Sequence, residues 1–393
     1  MVKDMFHTRS ALNALDSYCR KTNTKTLKKL SLFLGAYLPG TASSPHPFDC
    51  ASYSKSDVRT TIFNQCKKLD TLRKLSVQNG GVTILAIQLG LSHFTYSKFR
   101  CDFTGFDTVP ANAVPLLEDW GHISLKDPQF LRENRTKISL HPTDTFHSMN
   151  KISDYFQKMY KSDFYVLQRP RQKFRIANAE QFQQRSQLLE YAITLNVYEH
   201  LLFSSFQNST KDLVNDDINE IVTISDARAI PKMWSVYTPI RASLRDSFGT
   251  GSEEAKLRVY SGKVQSTIMV ETTRRILENC LDPKFQDYSI NISPDWDFRL
   301  QNTIPLTPDW RIRDMLDLQD TKLTDVDLSS VFLEGLSWSY WFRAYVELIS
   351  IVTSSGGRYE EGLLKRFNNY VKESKARFET FQKNNSCRLK TLN

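Results

Sequence analysis

ILAIQLGLSHFTYSK, residues 84–98, reads as a strand, a tight turn at Gly90 and a second strand. Alternating residues in the first arm are apolar, while Ser92, His93 and Thr95 interrupt the second. Such a pair is the beginning of a sheet. The first arm ends on Gln88, so it presents an uncharged amide at its carboxyl end.

The sequence before this stretch has a helical period. Residues 8–35 read as two short helices, SALNALDSYCRK and TKTLKKLSLFLG, stopped by Gly35. Residues 36–56 are rich in Pro, Ser and Gly and read as a loop. Residues 57–75 return to helical spacing, with Ile62, Cys66, Leu69 and Leu72 on one face. Lys67, Lys68, Arg73 and Lys74 lie off that face, and Lys28 and Lys29 form a second basic pair. A solvated charged face and a phosphate-binding face both fit these lysines.

After the opening stretch, LLEDWGHISL (116–125) supplies a third strand. Residues 142–160 form a helix entered through Pro142, and 163–168 a strand. A long helix over 181–206 carries Leu188, Leu189, Ala192, Ile193, Val197, Leu201 and Leu202, read as core. Residues 219–225 are a strand and 246–256 a loop. Residues 325–350 are a strongly apolar helix, followed by a polar, basic helix and tail. Trp338, Tyr340 and Trp341 stand too close together to share one core, so some of them are expected at a dimer interface.

Three strands, a helix, a strand, a helix, a strand and a late helix make a mixed-sheet α/β domain. That order is the ribonuclease H-like plan, a mixed sheet with flanking helices. In it, acids on the first strand, the fourth strand and the last helix converge at one end of the sheet and hold divalent metals. The chain divides into a basic helical module at 1–75, the α/β domain at 76–350 and a basic C-terminal tail at 351–393.

Composition narrows the function classes. The 393 residues are 40% hydrophobic and 24% charged, with a net charge of +9 that suits a polyanionic partner. No apolar run approaches the ~18 residues of a membrane span, so no membrane role is expected. Cys19, Cys50, Cys66, Cys101, Cys280 and Cys387 are scattered without a CxxC pair, which speaks against a zinc site or a disulfide framework and for a reducing compartment. The histidines show no ligand spacing, and His141 and His147 read as structural. Gly249-x-Gly251 lacks the Lys-Ser/Thr of a phosphate loop and reads as a turn. No nucleophile motif is present, and no metal or cofactor is expected. The first 30 residues are Lys-rich and hold only Asp4 and Asp16 as acids, a composition compatible with a mitochondrial presequence.

The strings DSYCRKTNTKTLKKLSLFLG (16–35), SLHPTDT (139–145), YEHLLF (198–203) and YTPIRASLRDS (237–247) carry a resemblance. The chain resembles the fungal mitochondrial Holliday-junction resolvase family and, within it, a paralogous branch of group I intron splicing cofactors. The likeness spans most of residues 10–350. It implies that the N-terminal helices are a SAP-like nucleic-acid-binding module with the 36–56 loop as an expansion. The resolvases carry Asp-Ala-Gly on the first strand, where this chain has Gln88-Leu89-Gly90. Their Glu-Arg-Gln-Arg is here Gln168-Arg169-Pro170-Arg171. Their two helix acids fall at Val326 and Ser330, with Asp325 and Asp327 each turned about 100° away from Val326. All four expected metal ligands are therefore neutral. Two divalent ions ~3.5–4 Å apart need several anionic oxygens, so the set points to a binding fold without the chemistry.

The resemblance further implies that QRPRQKFR (168–175) lies near the substrate, which favours phosphate contact for Arg169, Arg171, Lys173 and Arg175 over a solvated loop. Arg241 and Arg245, four apart, fit either reading. The implied function is a non-enzymatic RNA-binding homodimer of the mitochondrial matrix that stabilises folded group I intron RNA by its backbone shape, with an intron-encoded maturase as a further candidate partner. The alternatives are a structure-selective endonuclease on mitochondrial DNA junctions and a junction binder that does not cut.

Overall fold

The computed structural model describes residues 2–36, 53–102, 114–131, 141–168, 182–209, 220–225, 229–234, 253–284, 287–304, 310–318, 323–354 and 360–389. Three helices come first: α1 (Val2–Lys21), α2 (Thr24–Phe33) and α3 (Lys55–Asn79). Asn23 caps α2 by accepting from the Thr26 N–H. Ser54 and Asp57 form a reciprocal capping box on α3, which starts that helix two residues before the expected Asp57.

The opening stretch is the hairpin β1 (Val82–Gln88) and β2 (His93–Cys101), and β3 (Leu116–Ser124) extends it. Next come α4 (Pro142–Met159), β4 (Phe164–Gln168), α5 (Phe182–Ser209), β5 (Val222–Ser225), α6 (Ala229–Trp234) and α7 (Glu253–Leu281). The last elements are β6 (Asn291–Ile292), α8 (Pro294–Thr303), α9 (Ile312–Met315), α10 (Asp325–Thr353) and α11 (Glu361–Leu389). Residues 253–256, expected in a loop, are the first turn of α7. The two-residue β6 is too short to leave a period in the sequence.

The sheet order is β5-β4-β1-β2-β3-β6. β1, β2 and β3 form an antiparallel meander, while β4 runs parallel to β1 and β5 parallel to β4. Antiparallel strands on one side of β1 and parallel strands on the other make the ribonuclease H-like arrangement expected from the element order. Both faces are covered. Phe94 and Tyr96 meet Tyr198 and Phe156 of α5 and α4. On the opposite face the Ser97 hydroxyl donates to the Val331 carbonyl of α10 at 2.7 Å, and Phe99 packs on Phe332.

The placement of α10 decides the architecture. One side lies on β1 and β2, while α1, α3, α7 and α11 pack around the others. A helix apolar all round is a helix buried all round. Gly335 makes the approach to the sheet possible: a Cβ there would stand 2.7 Å from Ser97 Oγ. On the far side, the Tyr345 hydroxyl donates to Asp70 Oδ1 at 3.0 Å, and Asp70 is paired with Arg73 at 2.8 Å, so α3 is tied to α10 through a buried ion pair. Phe33 packs against Phe378, and Tyr18 against Phe367, which brings α11 onto α1 and α2.

Two expectations are corrected. Trp338 and Trp341 are buried, and Tyr340 is half-buried with its hydroxyl on the Ser289 carbonyl, so none is set at an outer interface. One core holds all three because α10 has neighbours on every side. On α5, Leu195, Tyr198, Leu202 and Phe206 face the sheet, whereas Leu189, Ile193 and Val197 are exposed along the opposite stripe. That helix is apolar on two faces and the sheet covers only one.

Candidate nucleic-acid interface

In a parallel pair of strands, the carboxyl ends open on the crevice where ligands bind. Here β1 and β4 end in register, with Gln88 opposite Gln168. The Leu89 N–H donates to the Gln168 carbonyl at 2.9 Å, which continues the ladder one residue past β1. β5 adds Ser225 opposite Gln168, so three polar side chains stand in a row across the strand ends.

The amino-terminal half of α10 crosses this row. Its capping box pairs Thr324 with Asp327, and Asp325 bonds the Arg313 N–H at 3.1 Å. Both acids flanking Val326 thus serve the start of the helix. Residues four apart then fall on one stripe: Val326, Ser330, Glu334 and Trp338. The Ser330 hydroxyl donates to Gln168 Oε1 at 3.3 Å, and Gln168 Nε2 donates to Glu334 Oε2 at 2.8 Å. Trp338 Nε1 donates to Glu334 Oε1 at 3.0 Å. Val326 is half-buried against the core. Gln88 Oε1 is buried and accepts no hydrogen bond.

The structure therefore joins Gln168 to Ser330 directly and sets Gln88 beside them by strand register. It adds Glu334, which the sequence reading passed over. Glu334 is wholly buried, with donors on both oxygens. The signal for it was the four-residue spacing from Ser330. Glu334 lies one helical turn beyond the last of the four positions at which the resolvases carry acids.

This donor set does not fit a pair of divalent ions. It offers two amides, a hydroxyl and one carboxylate whose oxygens are both engaged, where such ions need several free anionic oxygens. Among the described residues no group of three or more His, Cys, Asp or Glu side chains is placed to hold a metal.

The basic residues are distributed over two regions. Lys67 is exposed, with its ammonium 5.0 Å from the centre of the Phe63 ring. Lys68 is half-buried, and its Nζ donates to Thr223 Oγ1 of β5 at 2.8 Å. Burial lowers the Lys68 pKa, and the Glu220 charge acts against that shift. Lys28 and Lys29 are half-buried on α2. The Lys29 pKa is lowered first by desolvation and then by repulsion from Lys375 and Lys25, with Glu379 acting against the shift and Lys372 adding to it; Lys375 is itself paired with Glu379 at 2.8 Å, so α11 brings charges of both signs to this face. Arg169, Arg171, Lys173, Arg175, Arg241 and Arg245 lie outside the described residues.

Residues 84–348 match the family model "Mitochondrial resolvase Ydc2 / RNA splicing MRS1". The chain is 30% identical over 390 residues to the mitochondrial RNA-splicing protein MRS1 of Saccharomyces paradoxus, covering 98% of this chain and 97% of that one. It is 24% identical over 353 residues to the mitochondrial cruciform cutting endonuclease 1 of Saccharomyces cerevisiae, covering 87% and 88%. The crystal structure of the yeast mitochondrial Holliday junction resolvase Ydc2 superposes with a TM-score of 0.45 at 11% identity, over 90% of this chain and 99% of that one.

Proposed function

The chain belongs to the mitochondrial resolvase Ydc2 / RNA splicing MRS1 family, and from that premise we propose that it is a non-catalytic RNA-binding protein of the mitochondrial matrix. It stabilises folded group I intron RNA and thereby promotes splicing that the RNA itself performs. The observation that carries this reading is the Gln168–Glu334–Ser330 network beside Gln88. The strand platform is kept, the positions where the resolvases carry acids hold uncharged groups, and the one carboxylate beside them, Glu334, has both oxygens engaged. A site without clustered carboxylates no longer repels phosphate, and a net charge of +9 attracts it.

In this reading Lys28, Lys29, Lys67 and Lys68, together with Arg169, Arg171, Lys173, Arg175, Arg241 and Arg245, contact the RNA backbone. Recognition rests on shape and phosphate position rather than base identity. The protein acts as a homodimer, and the exposed stripe Leu189, Ile193 and Val197 on α5 is the surface that supports this part of the proposal.

The test pairs binding with cleavage. Intron RNA affinity falls steeply with salt, by ~10³–10⁵-fold from 50 to 200 mM for a duplex-like contact with 6–10 phosphates. The Arg169→Ala, Arg171→Ala, Lys173→Ala triple variant flattens that slope. Wild type, Gln88→Asp and a fourfold variant carrying Asp, Glu, Asp and Asp at 88, 168, 326 and 330 are incubated with four-way junction DNA and intron RNA in Mg²⁺ and Mn²⁺. Wild type and Gln88→Asp leave both substrates intact. Cutting by the wild type that EDTA and Gln88→Ala abolish would replace this reading with a structure-selective endonuclease.

A further inference from the structure

The row of polar side chains at the strand ends does not stop at Gln88. Thr95 of β2 is opposite Gln88, and His122 of β3 is opposite Thr95. Ser225, Gln168, Gln88, Thr95 and His122 therefore stand in register across five strands. They share the α10 face, because Ser97, two residues after Thr95, donates to α10. His122 is two strand spacings from Gln88, about 10 Å. His93 is its diagonal neighbour on that face, and the two imidazole centroids are 6.1 Å apart. The Ser92 hydroxyl lies 2.7 Å from His93 Nδ1 and steadies that ring.

His122 is open to a ligand. It is half-buried, it makes no hydrogen bond among the described residues, and its ring nitrogens reach the surface. The groups around it leave a positive charge there unanswered. Gln88, Thr95 and Ser97 on the same face are neutral. At the start of α10, Asp327 serves the capping box and Asp325 serves Arg313. On α8, Asp295 and Asp297 stand in the first turn, and Arg299 lies over the Trp296 ring. After β3 come Lys126 and Asp127, whose carboxylate takes the Gln129 N–H. Burial lowers the His122 pKa, and His93 is the one charge among the described residues that shifts it further. The ring is neutral at pH 7, and an imidazolium formed there finds its counter-charge in an incoming anion.

We propose that His122 contacts a backbone phosphate of structured nucleic acid, with His93 adding a second positive charge beside it. The contact is a charge-assisted N–H···O bond of ~2.7–2.9 Å. Its phosphate neighbours the one over Gln88, since the two positions are about 10 Å apart. Only the assignment of that phosphate to RNA rests on the function proposed above. Contact takes up a proton, so affinity rises as pH falls toward ~6.5 and below, and the contribution is smallest at pH 8. One proton gives at most ~10-fold per pH unit, and one neutralised phosphate adds ~0.7–0.9 to the salt slope at low pH.

The experiment follows the ring C–H resonances of the seven histidines in the full chain labelled with ¹³C-histidine. The peak lost in His122→Asn identifies His122. A folded group I intron RNA, four-way junction DNA and sodium phosphate are titrated separately at constant ionic strength from pH 6 to 8, and affinities are measured alongside. The His122 peak titrates at higher pH in the RNA complex than in the protein alone. RNA affinity of the wild type rises ~10-fold from pH 8 to 6. The deficit of His122→Asn is largest at pH 6 and shrinks toward pH 8, which a purely structural defect would not do. His122→Lys is charged throughout, so it keeps tight binding and loses the pH dependence; it also keeps the test open if His122→Asn fails to fold by circular dichroism. A peak moved by junction DNA and not by RNA leaves the site standing and sinks the function above. In a protein that binds neither nucleic acid, a saturable shift with phosphate at pH 6 does the same. A His122 peak unmoved by all three, or a pH dependence of RNA affinity that survives in both variants, overturns the proposal.

Discussion

Gln168→Glu returns an acid to the head of β4 and tests the network from within. Gln168 Nε2 now donates to Glu334 Oε2 at 2.8 Å, with the two residues 1% and 0% exposed. The substitution replaces that hydrogen bond by two facing carboxylates. At an effective dielectric constant of about 20, unit charges at this separation repel by ~6 kcal/mol. The pair relieves most of that by keeping a proton, and it titrates as a unit. The folded protein then holds that proton to higher pH than the unfolded chain, whose glutamate pKa is ~4.3. Stability is therefore retained below about pH 4 and lost as pH rises through the raised folded value. An elevation of about three units costs ~4 kcal/mol at pH 7. With an unfolding entropy of about 2.1 cal/mol/K per residue, this lowers Tm by ~5 °C. Thermal melts of wild type, Gln168→Glu and Gln168→Met from pH 4 to 8 provide the assay. Gln168→Met loses the hydrogen bond without adding a charge, and Glu334 keeps its bond from Trp338, so its deficit varies less steeply with pH. A Gln168→Glu deficit that rises no more steeply than that of Gln168→Met would refute the carboxylate-pair argument and the placement of Glu334.

Gly335→Ala drives a Cβ to 2.7 Å from Ser97 Oγ and 2.8 Å from the Phe99 ring, and costs ~1–3 kcal/mol in urea unfolding; no change would mean that α10 does not lie this close to β2. Asp70→Ala removes the buried acceptor shared by Arg73 and Tyr345 and costs ~3–5 kcal/mol, whereas Tyr345→Phe removes one hydrogen bond and costs about 1 kcal/mol, as denaturant titration of each reads directly. His122 has its pKa lowered by burial and then by the neighbouring His93. The imidazole is thus held neutral in the fold, and stability is complete above ~6.5 and lost as pH falls below that value. His122→Asn flattens the urea midpoint between pH 6.5 and 5, and an unaltered acid limb would place the transition elsewhere.

Local periodicity was enough to find the hairpin around Gly90, the late apolar helix and the sheet plan, because strand and helix spacings are written in neighbouring residues. The neutral residues at Gln88, Gln168, Val326 and Ser330 were also legible, through the resemblance that marks those positions. What a helix packs against is not local, and there the reading stopped. The apolar pattern of α5 shows two greasy faces, and only the fold says that Leu195 and Tyr198 meet the sheet while Leu189 and Ile193 do not. Trp338, Tyr340 and Trp341 looked surplus to one core until the sheet and four helices closed around α10. Glu334 is one unremarked acid in the sequence. It becomes the centre of the site because α10 crosses the strand ends one turn beyond Ser330, within hydrogen-bond reach of Gln168. Gln168, Gln88 and His122 are far apart along the chain, and only strand pairing sets them in one row. Sequence sets the chemistry available at each position, and long-range packing decides which of those groups share a space small enough for their charges and hydrogen bonds to act on one another.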